Sequence, residues 1–277
     1  MTFQQHYAPV TASFKMAAST YLVRLHAPAL AEAIRPGQFV MLRLPNRTDP
    51  LLARPFALYD TFIDAKTGRP TGIDIVYLVV GKMTALMAEL TVGDAVEIWG
   101  PLGNGFPEPV GRELVGLVAG GIGQTPFLAH IRELLGTRGY GGQPPRRRVQ
   151  RVSLYYGVRT AAYAAGVDDF KAAGADVHLA SNDGTIGHPG FITDLLAQHD
   201  APQHLFGCGP EPMLHALAKQ AGQRGIPCHL SLETPMACGV GICFSCVTPV
   251  KTDDGWDYKR VCVDGPVFDA ACLQWEK

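Results

Sequence analysis

What this chain lacks narrows the field before any motif is read. Its 277 residues carry 24 basic and 25 acidic side chains, a net charge of -1, so no overall field draws it to nucleic acid or to an anionic membrane. No apolar run approaches the roughly 18 residues that a membrane span needs. The opening MTFQQHYAPV has no charged stretch followed by an apolar one. The expectation is a cytoplasmic protein that binds neither nucleic acid nor membrane. Paired carboxylates and Ser/His/Asp arrangements, which would make the chain a self-sufficient acid-base or nucleophilic enzyme, are also missing from its motifs. The one dense basic run, RRR at 146–148, lies in GTRGYGGQPPRRR and reads as a solvated Gly/Pro-rich loop.

Cysteine is what remains conspicuous. A chain of this length buries a core without disulfide staples, and seven cysteines, an odd number, point to metal ligands, core residues or reactive thiols. Three of them, Cys238, Cys243 and Cys246, lie in MACGVGICFSC with the spacing C-x4-C-x2-C, and Cys262 follows in YKRVCVDGP after fifteen intervening residues. That is the ligand spacing of a plant-type [2Fe-2S] centre. Soft thiolates suit iron, and Gly239 and Gly241 free the backbone to turn its N–H groups toward sulfur. A structural zinc site is the alternative, but zinc modules usually pair their ligands as C-x2-C knuckles, and the first gap here is four. Cys228 and Cys272 fall outside the pattern and read as a strand cysteine and a tail cysteine.

The rest of the chain divides by pattern. Residues 1–110 carry short β-rich runs between turn signals, such as TYLVRLHA, QFVMLRLP and GIDIVYLVV, which predict an antiparallel barrel. One helical stretch, TALMAEL, opens at Thr84. Residues 111–225 alternate strands with helices and predict a doubly wound parallel sheet. Residues 226–277, with no long periodic element, predict a small metal-ordered domain. The predicted fold class is therefore a β barrel plus α/β, with a C-terminal iron-sulfur appendage.

Four further motifs stand in front of the cysteines. In LLARPFALYD a lone arginine, Arg54, sits among apolar residues, either snorkelling from a barrel edge or meeting a ligand. VYLVVGKMTALMAEL then supplies a strand (Val76, Tyr77, Leu78), a Gly-Lys turn and a helix start (Lys82, Met83, Thr84) whose N–H groups suit a phosphate. GLVAGGIGQTPF puts Gly120, Gly121 and Gly123 at a strand-to-helix turn, where glycine serves either a close phosphate or simply a tight connection. FGCGPEPML adds Cys208, Gly209 and Pro210; Cys208 is either a small hydrophobe ending a buried strand or a site residue. Arg159 in YYGVR meets an adenosine phosphate or caps an element. Glu233, just before the cysteine loop, is either a residue near the flavin or, as its place at a strand end favours, an exposed glutamate.

Together these segments resemble the ferredoxin-NADP reductase superfamily. The resemblance puts Arg54 on the arginine of its Arg-x-aromatic-Ser flavin motif, Phe56 on the aromatic that stacks on the isoalloxazine, and Pro55 between them. Ala57 departs from the pattern, standing where the family commonly has Ser or Thr to hydrogen-bond near flavin N5. The resemblance further implies that Cys208 flanks the nicotinamide, with Gly209 and Pro210 shaping the pocket wall. With a short cluster segment directly after the nucleotide domain, the chain resembles one branch, the electron-transfer subunits of dihydroorotate dehydrogenase B. The motifs ARPFALYD, GPLGNGF, VAGGIGQTPF, SNDGTIGHPGFITDLL, FGCGPEPML, LETPMACGVGICFSCV and YKRVCVDGPVF carry it over nearly the whole length. It implies FAD, one [2Fe-2S] cluster, NAD and an FMN-containing catalytic partner in a heterotetramer of two copies each. A flavin and a one-electron cluster in one chain make a converter between hydride and single-electron chemistry. Two other readings stay open: a reductase subunit for ferredoxin, sulfite reductase, a hydrogenase or a glutamate synthase-like enzyme, and a zinc-ordered binding module without catalysis.

Overall fold

A computed structural model describes residues 4–275. The first half is built from β1 (Gln4–Ala17), β2 (Thr20–His26), α1 (Pro28–Ala33), β3 (Phe39–Arg43), β4 (Arg54–Ala57), β5 (Asp60–Ile63), β6 (Pro70–Leu78), α2 (Lys82–Met87) and β7 (Ala95–Leu102). All neighbouring strands pair antiparallel in the order β4-β3-β7-β1-β2-β6-β5. Inward-facing Val23, Leu25, Val40, Leu42, Ile73, Ile75, Val96 and Ile98 fill the interior. The alternation of the sequence dictates this, because a period of two sends every second side chain to one face.

The second half runs β8 (Leu114–Gly120), α3 (Phe127–Leu134), β9 (Arg151–Val158), α4 (Val167–Ala172), β10 (Asp176–Ser181), β11 (His188–Pro189), α5 (Ile192–Ala197), β12 (His204–Cys208), α6 (Glu211–Gln223) and β13 (Cys228–Ser231). Then come β14 (Val247–Thr252), β15 (Gly255–Arg260) and β16 (Val267–Asp269). The second sheet is ordered β11-β10-β9-β8-β12-β13-β16, parallel except for β16. Every residue of β8 is buried, as a central parallel strand covered on both faces must be. β13 lies in register beside β12, so residues 228–231 belong to this sheet rather than to the segment that starts at 226 in the sequence division.

Two polar joints bind these parts. Asp60, buried at the end of the barrel, accepts from Tyr140 Oη at 2.6 Å and from Arg138 at 2.7 Å, and also pairs with Arg132. Asn104, in GPLGNGF, donates to the carbonyls of Asp264 and Val267 and accepts from the Val267 amide, clamping the barrel to the C-terminal segment. Apolar contact reinforces the second joint: Phe39, Met41, Ala53 and Leu102 pack with Met236, Val261, Cys246 and Cys262.

The basic run is more tied down than its composition suggests. Arg148 pairs with Glu133 at 3.0 Å and Glu108 at 2.8 Å, and Arg147 donates to the carbonyls of Val149 and Gln150. Only Arg146 and Arg147 are exposed, which corrects the reading of the run as a wholly solvated loop.

Candidate electron-transfer site

The glycine turn and the Cys208 strand end meet because glycine allows it. Gly120 and Gly121 close β8 into a short 3-10 turn ahead of α3, and Gly121 has φ +55°. A Cβ on Gly123 would lie 2.3 Å from the Cys208 carbonyl oxygen, and one on Gly209 2.9 Å from the Gly120 nitrogen. No other residue lets these backbones approach so closely. Pro210 caps α6, with Glu211 favourably placed in its first turn.

A cavity of about 810 Å³ opens where the barrel faces this junction. Arg54, Pro55, Phe56, Ala57, Val76, Tyr77 and Leu78 border it from the barrel; Gly123, Cys208, Gly209 and Pro210 border it from the parallel sheet. Thus most of the sequence-derived candidates converge on one cavity. Phe56 is half-buried and edge-on to Tyr77 at 6.0 Å. Arg54 Nη1 donates to the carbonyls of Leu52 and Ala53, which fixes the guanidinium at the cavity wall and leaves its other N–H groups for a ligand.

Lys82, Met83, Thr84, Gly120 and Gly121 do not border the cavity. The helix start also differs from its expected position, since α2 begins at Lys82 with Gly81 as its cap, and Thr84 is its third residue. The Thr84 hydroxyl accepts from the amides of Val80 and Gly81, and Lys82 is ion-paired with Asp49. Met83 is buried in the barrel core. The exposed Arg159 is likewise outside the cavity lining.

Sequence reasoning missed part of the wall. Ser231, Leu232, Glu233 and Thr234 border the cavity as β13 leaves the sheet, so Glu233 is a lining residue despite its exposure. Strand pairing of β13 with β12 sets Ser231 opposite Cys208, a juxtaposition no local motif encodes. Burial first, then the Glu233 charge, pushes the Cys208 thiol up to about 12, against a smaller opposing contribution from the Ser231 hydroxyl. Cys208 is therefore a neutral thiol at pH 7, suited to packing against a ring rather than to attack.

The residues fit a polar aromatic cofactor. The buried hydroxyls of Tyr77 and Thr234 have no hydrogen-bond partner in the protein, and both line the cavity. Such groups cost free energy unless a ligand or water meets them.

The cysteine loop borders the same cavity through Met236, Ala237 and Ser245, the last two adjacent to Cys238 and Cys246. Its four thiols are neighbours: Cys238 acts on the Cys243 thiol, and Cys246 first, then Cys238, act on that of Cys262. The four-residue first gap suits a two-iron cluster over a C-x2-C zinc knuckle. Gly239 and Gly241 take φ +72° and +81°, and a Cβ there would lie 2.5 Å from Met41 and 2.6 Å from Val263, so the loop can be this tight only with glycine. The Val240 amide donates to Cys238 Sγ at 3.4 Å, an N–H turned to sulfur. Cys228 is buried in β13, and Cys272 is exposed near the end of the described chain.

Residues 233–274 match the iron-sulfur cluster binding domain of dihydroorotate dehydrogenase B. The chain is 40% identical over 259 residues to the electron transfer subunit of dihydroorotate dehydrogenase B (NAD(+)) of Bacillus caldolyticus, covering 92% of this chain and 93% of that one. The protein of the same name from Desulforamulus reducens is 32% identical over 273 residues, covering 97% and 98%. Among solved structures, that of an NADH-dependent reduced ferredoxin-NADP oxidoreductase, described for flavin-based electron bifurcation, superposes with a TM-score of 0.79 at 26% identity, covering 97% of this chain and 90% of that one. Phthalate dioxygenase reductase, at 18% identity and a TM-score of 0.61, shares the fold over 94% of each chain.

Proposed function

The chain belongs to the electron-transfer subunits of dihydroorotate dehydrogenase B, and on that premise we propose that it carries electrons between an FMN-containing catalytic subunit and NAD+ in pyrimidine biosynthesis. The observation that carries this reading is the shared cavity wall: barrel, parallel sheet and cysteine loop all border one space. Bound in that cavity FAD would supply hydride exchange, and a [2Fe-2S] cluster held by the four cysteines would supply one-electron transfer.

This chain's own residues bind and orient. Arg54 presents free N–H groups to an anionic or carbonyl edge, with Pro55 and Phe56 supplying the apolar wall. Tyr77 and Thr234 offer hydroxyls that lack protein partners. Ala57 offers no side-chain donor, so any polar contact near the reacting ring edge comes from backbone or from Thr234 across the cavity. Gly123, Cys208, Gly209 and Pro210 form the opposite wall, the place for the nicotinamide of NAD. Cys238, Cys243, Cys246 and Cys262 would hold the cluster, and Cys246 and Cys262 are buried in one apolar group with Met41 and Leu102. Val76 and Leu78 line the same barrel wall beside Tyr77, whereas Lys82, Met83, Thr84, Gly120 and Gly121 lie outside the lining. The assembly is a heterotetramer of two copies of each subunit, and the setting is the cytoplasm, in keeping with seven cysteines that form no disulfide.

Co-expression of the tagged chain with the dihydroorotate-oxidising subunit of the same organism tests the reading. Co-purification, with dihydroorotate-dependent reduction of NAD+ by the complex, is the expected result. Co-purification of a different oxidoreductase from the native host, with no dihydroorotate activity, would contradict it and favour another reductase role.

A further inference from the structure

A second, smaller hollow of about 360 Å³ lies at the other end of the parallel sheet, bordered by Glu108, Pro109, Gly111, Arg112, Arg146 and Arg148. It sits where β8 and β9 begin, at Leu114 and Arg151, whereas the electron-transfer cavity borders the turn that follows β8. Because these strands run parallel, the two hollows occupy opposite ends of the sheet.

Two separate segments supply the arginines, and hydrogen bonds fix them to each other. The Gln150 amide donates to the Arg112 carbonyl at 2.7 Å, and the amides of Arg148 and Val149 donate to the carbonyl of Leu134 at the end of α3. Pro144 and Pro145 stiffen the approach to Arg146, since each ring fixes its own φ. On the other segment Gly111 takes φ +80°, and a Cβ there would lie 2.5 Å from Gln203 Oε1, the oxygen that accepts from the Glu113 amide. The backbone that carries the arginines is thus set before any ligand arrives.

Charge in the hollow is unevenly matched. Arg148 is paired with Glu108 at 2.8 Å and with Glu133 at 3.0 Å. Arg112 and Arg146 are exposed and, among the described residues, neither guanidinium meets a carboxylate. Two cations without counter-ions therefore border one hollow in a chain whose net charge is -1. Their mutual repulsion is relieved by an anion placed between them.

We propose that this hollow binds a small polyanion with linked phosphate groups, either free pyrophosphate or the phosphate chain of a nucleotide. A guanidinium presents its N–H donors as a planar fork that meets phosphate oxygens in pairs, so two unpaired forks suit two linked phosphates. The volume is near the lower end of the roughly 300–1,000 Å³ of small-ligand sites, which fits a short phosphate chain. Glu108 on the rim repels an anion from the side where Arg148 is already neutralised, and directs it to Arg112 and Arg146. The site adds to the electron-transfer reading and does not depend on it.

Isothermal titration calorimetry tests the proposal on the full chain loaded with FAD and cluster, with inorganic pyrophosphate, ATP, orthophosphate and sulfate as separate titrants. Saturating NAD+ is present throughout, so that a diphosphate entering the larger cavity is not counted. The wild-type chain is expected to take one pyrophosphate, with Kd at least about tenfold below those of orthophosphate and sulfate. Arg112→Ala/Arg146→Ala is expected to raise that Kd by about 30-fold or more, as loss of charge-assisted hydrogen bonds does. Lys219→Ala/Lys259→Ala removes the same charge from exposed positions away from the hollow and is expected to stay within about threefold. Flavin and cluster absorbance report folding; if the arginine double variant loses them, Arg146→Gln is read in its place, with a loss of about fivefold expected. ATP tighter than pyrophosphate assigns the site to a nucleotide, and ATP no tighter assigns it to the free diphosphate; both support the site. Absence of saturable binding by pyrophosphate and ATP, sulfate as tight as pyrophosphate, or an arginine variant that binds like the wild type overturns it.

Discussion

The cavity and the cysteine loop are built in opposite ways. Cavity walls come from separated stretches, among them 52–57, 76–80, 122–125 and 208–211, together with the β13 exit, each held by one of the two large sheets. The cysteine loop is one contiguous string, three of its four cysteines inside eleven residues, with no regular element between Leu232 and Val247. The cavity keeps its shape through strand pairing and burial. The loop's shape rests on glycine φ values, a few hydrogen bonds and the cluster that its thiols fit. Ligand binding should therefore be tunable at the cavity and all-or-none at the loop.

The sharpest break of that contrast is Cys246→Ser. Iron and acid-labile sulfide should fall to near background, and dihydroorotate-linked turnover should vanish. Flavin absorbance should remain, because the barrel does not depend on the loop; loss of flavin together with iron would erase the distinction. Next in size is Asp60→Ala, which strips a buried carboxylate from Arg132, Arg138 and Tyr140. Breaking such a site costs about 3 kcal/mol, read as a lower urea midpoint with the cluster spectrum of the folded protein intact. Gly123→Ala, whose methyl would press on the Cys208 carbonyl, should weaken NADH binding about tenfold or more, measured by flavin reduction kinetics, with iron content unchanged.

Acid should act on the sheet before the loop. Burial, then the neighbouring His229, depresses His204 to about 4, and burial lowers His130 and His229 as well. His204 Nδ1 accepts from the Val110 amide and its other nitrogen bonds His229, an arrangement of neutral rings. In the unfolded chain these imidazoles take protons near pH 6.5. Between about 6.5 and 4 the unfolded state thus binds more protons, and stability is lost as pH falls through that window. A melting temperature lower by roughly several degrees at pH 4.5 than at pH 7 is expected by calorimetry. The smallest effect is that of Ala57→Ser: a change of about threefold in the rate of flavin reduction by NADH, with Kd for NADH unchanged.

What the sequence made legible follows from the same contrast. The cysteine loop was readable because its chemistry is local, four thiols at fixed spacing with glycines between. The barrel and parallel sheet were readable from their periods, and the glycine turn from its steric demand. Ser231 was not, because it reaches the cavity only through the pairing of β13 with β12, which sets it opposite Cys208. The Asp60 joint was equally hidden: its partners lie far along the chain, and nothing near DTFI marks it. The start of α2 was misplaced by two residues, since Thr84 is its third residue and its hydroxyl accepts from the amides of Val80 and Gly81 ahead of the helix.

On the proposed function, cavity and loop are two ends of one electron path. Anaerobic titration of the purified chain with NADH, followed in the visible range and by electron paramagnetic resonance, tests this. Flavin absorbance is expected to bleach and the signal of a reduced [2Fe-2S] cluster to grow in the same titration, both complete at a few equivalents of NADH. A flavin that bleaches while the cluster stays oxidised, or a colourless protein that holds zinc, would contradict it.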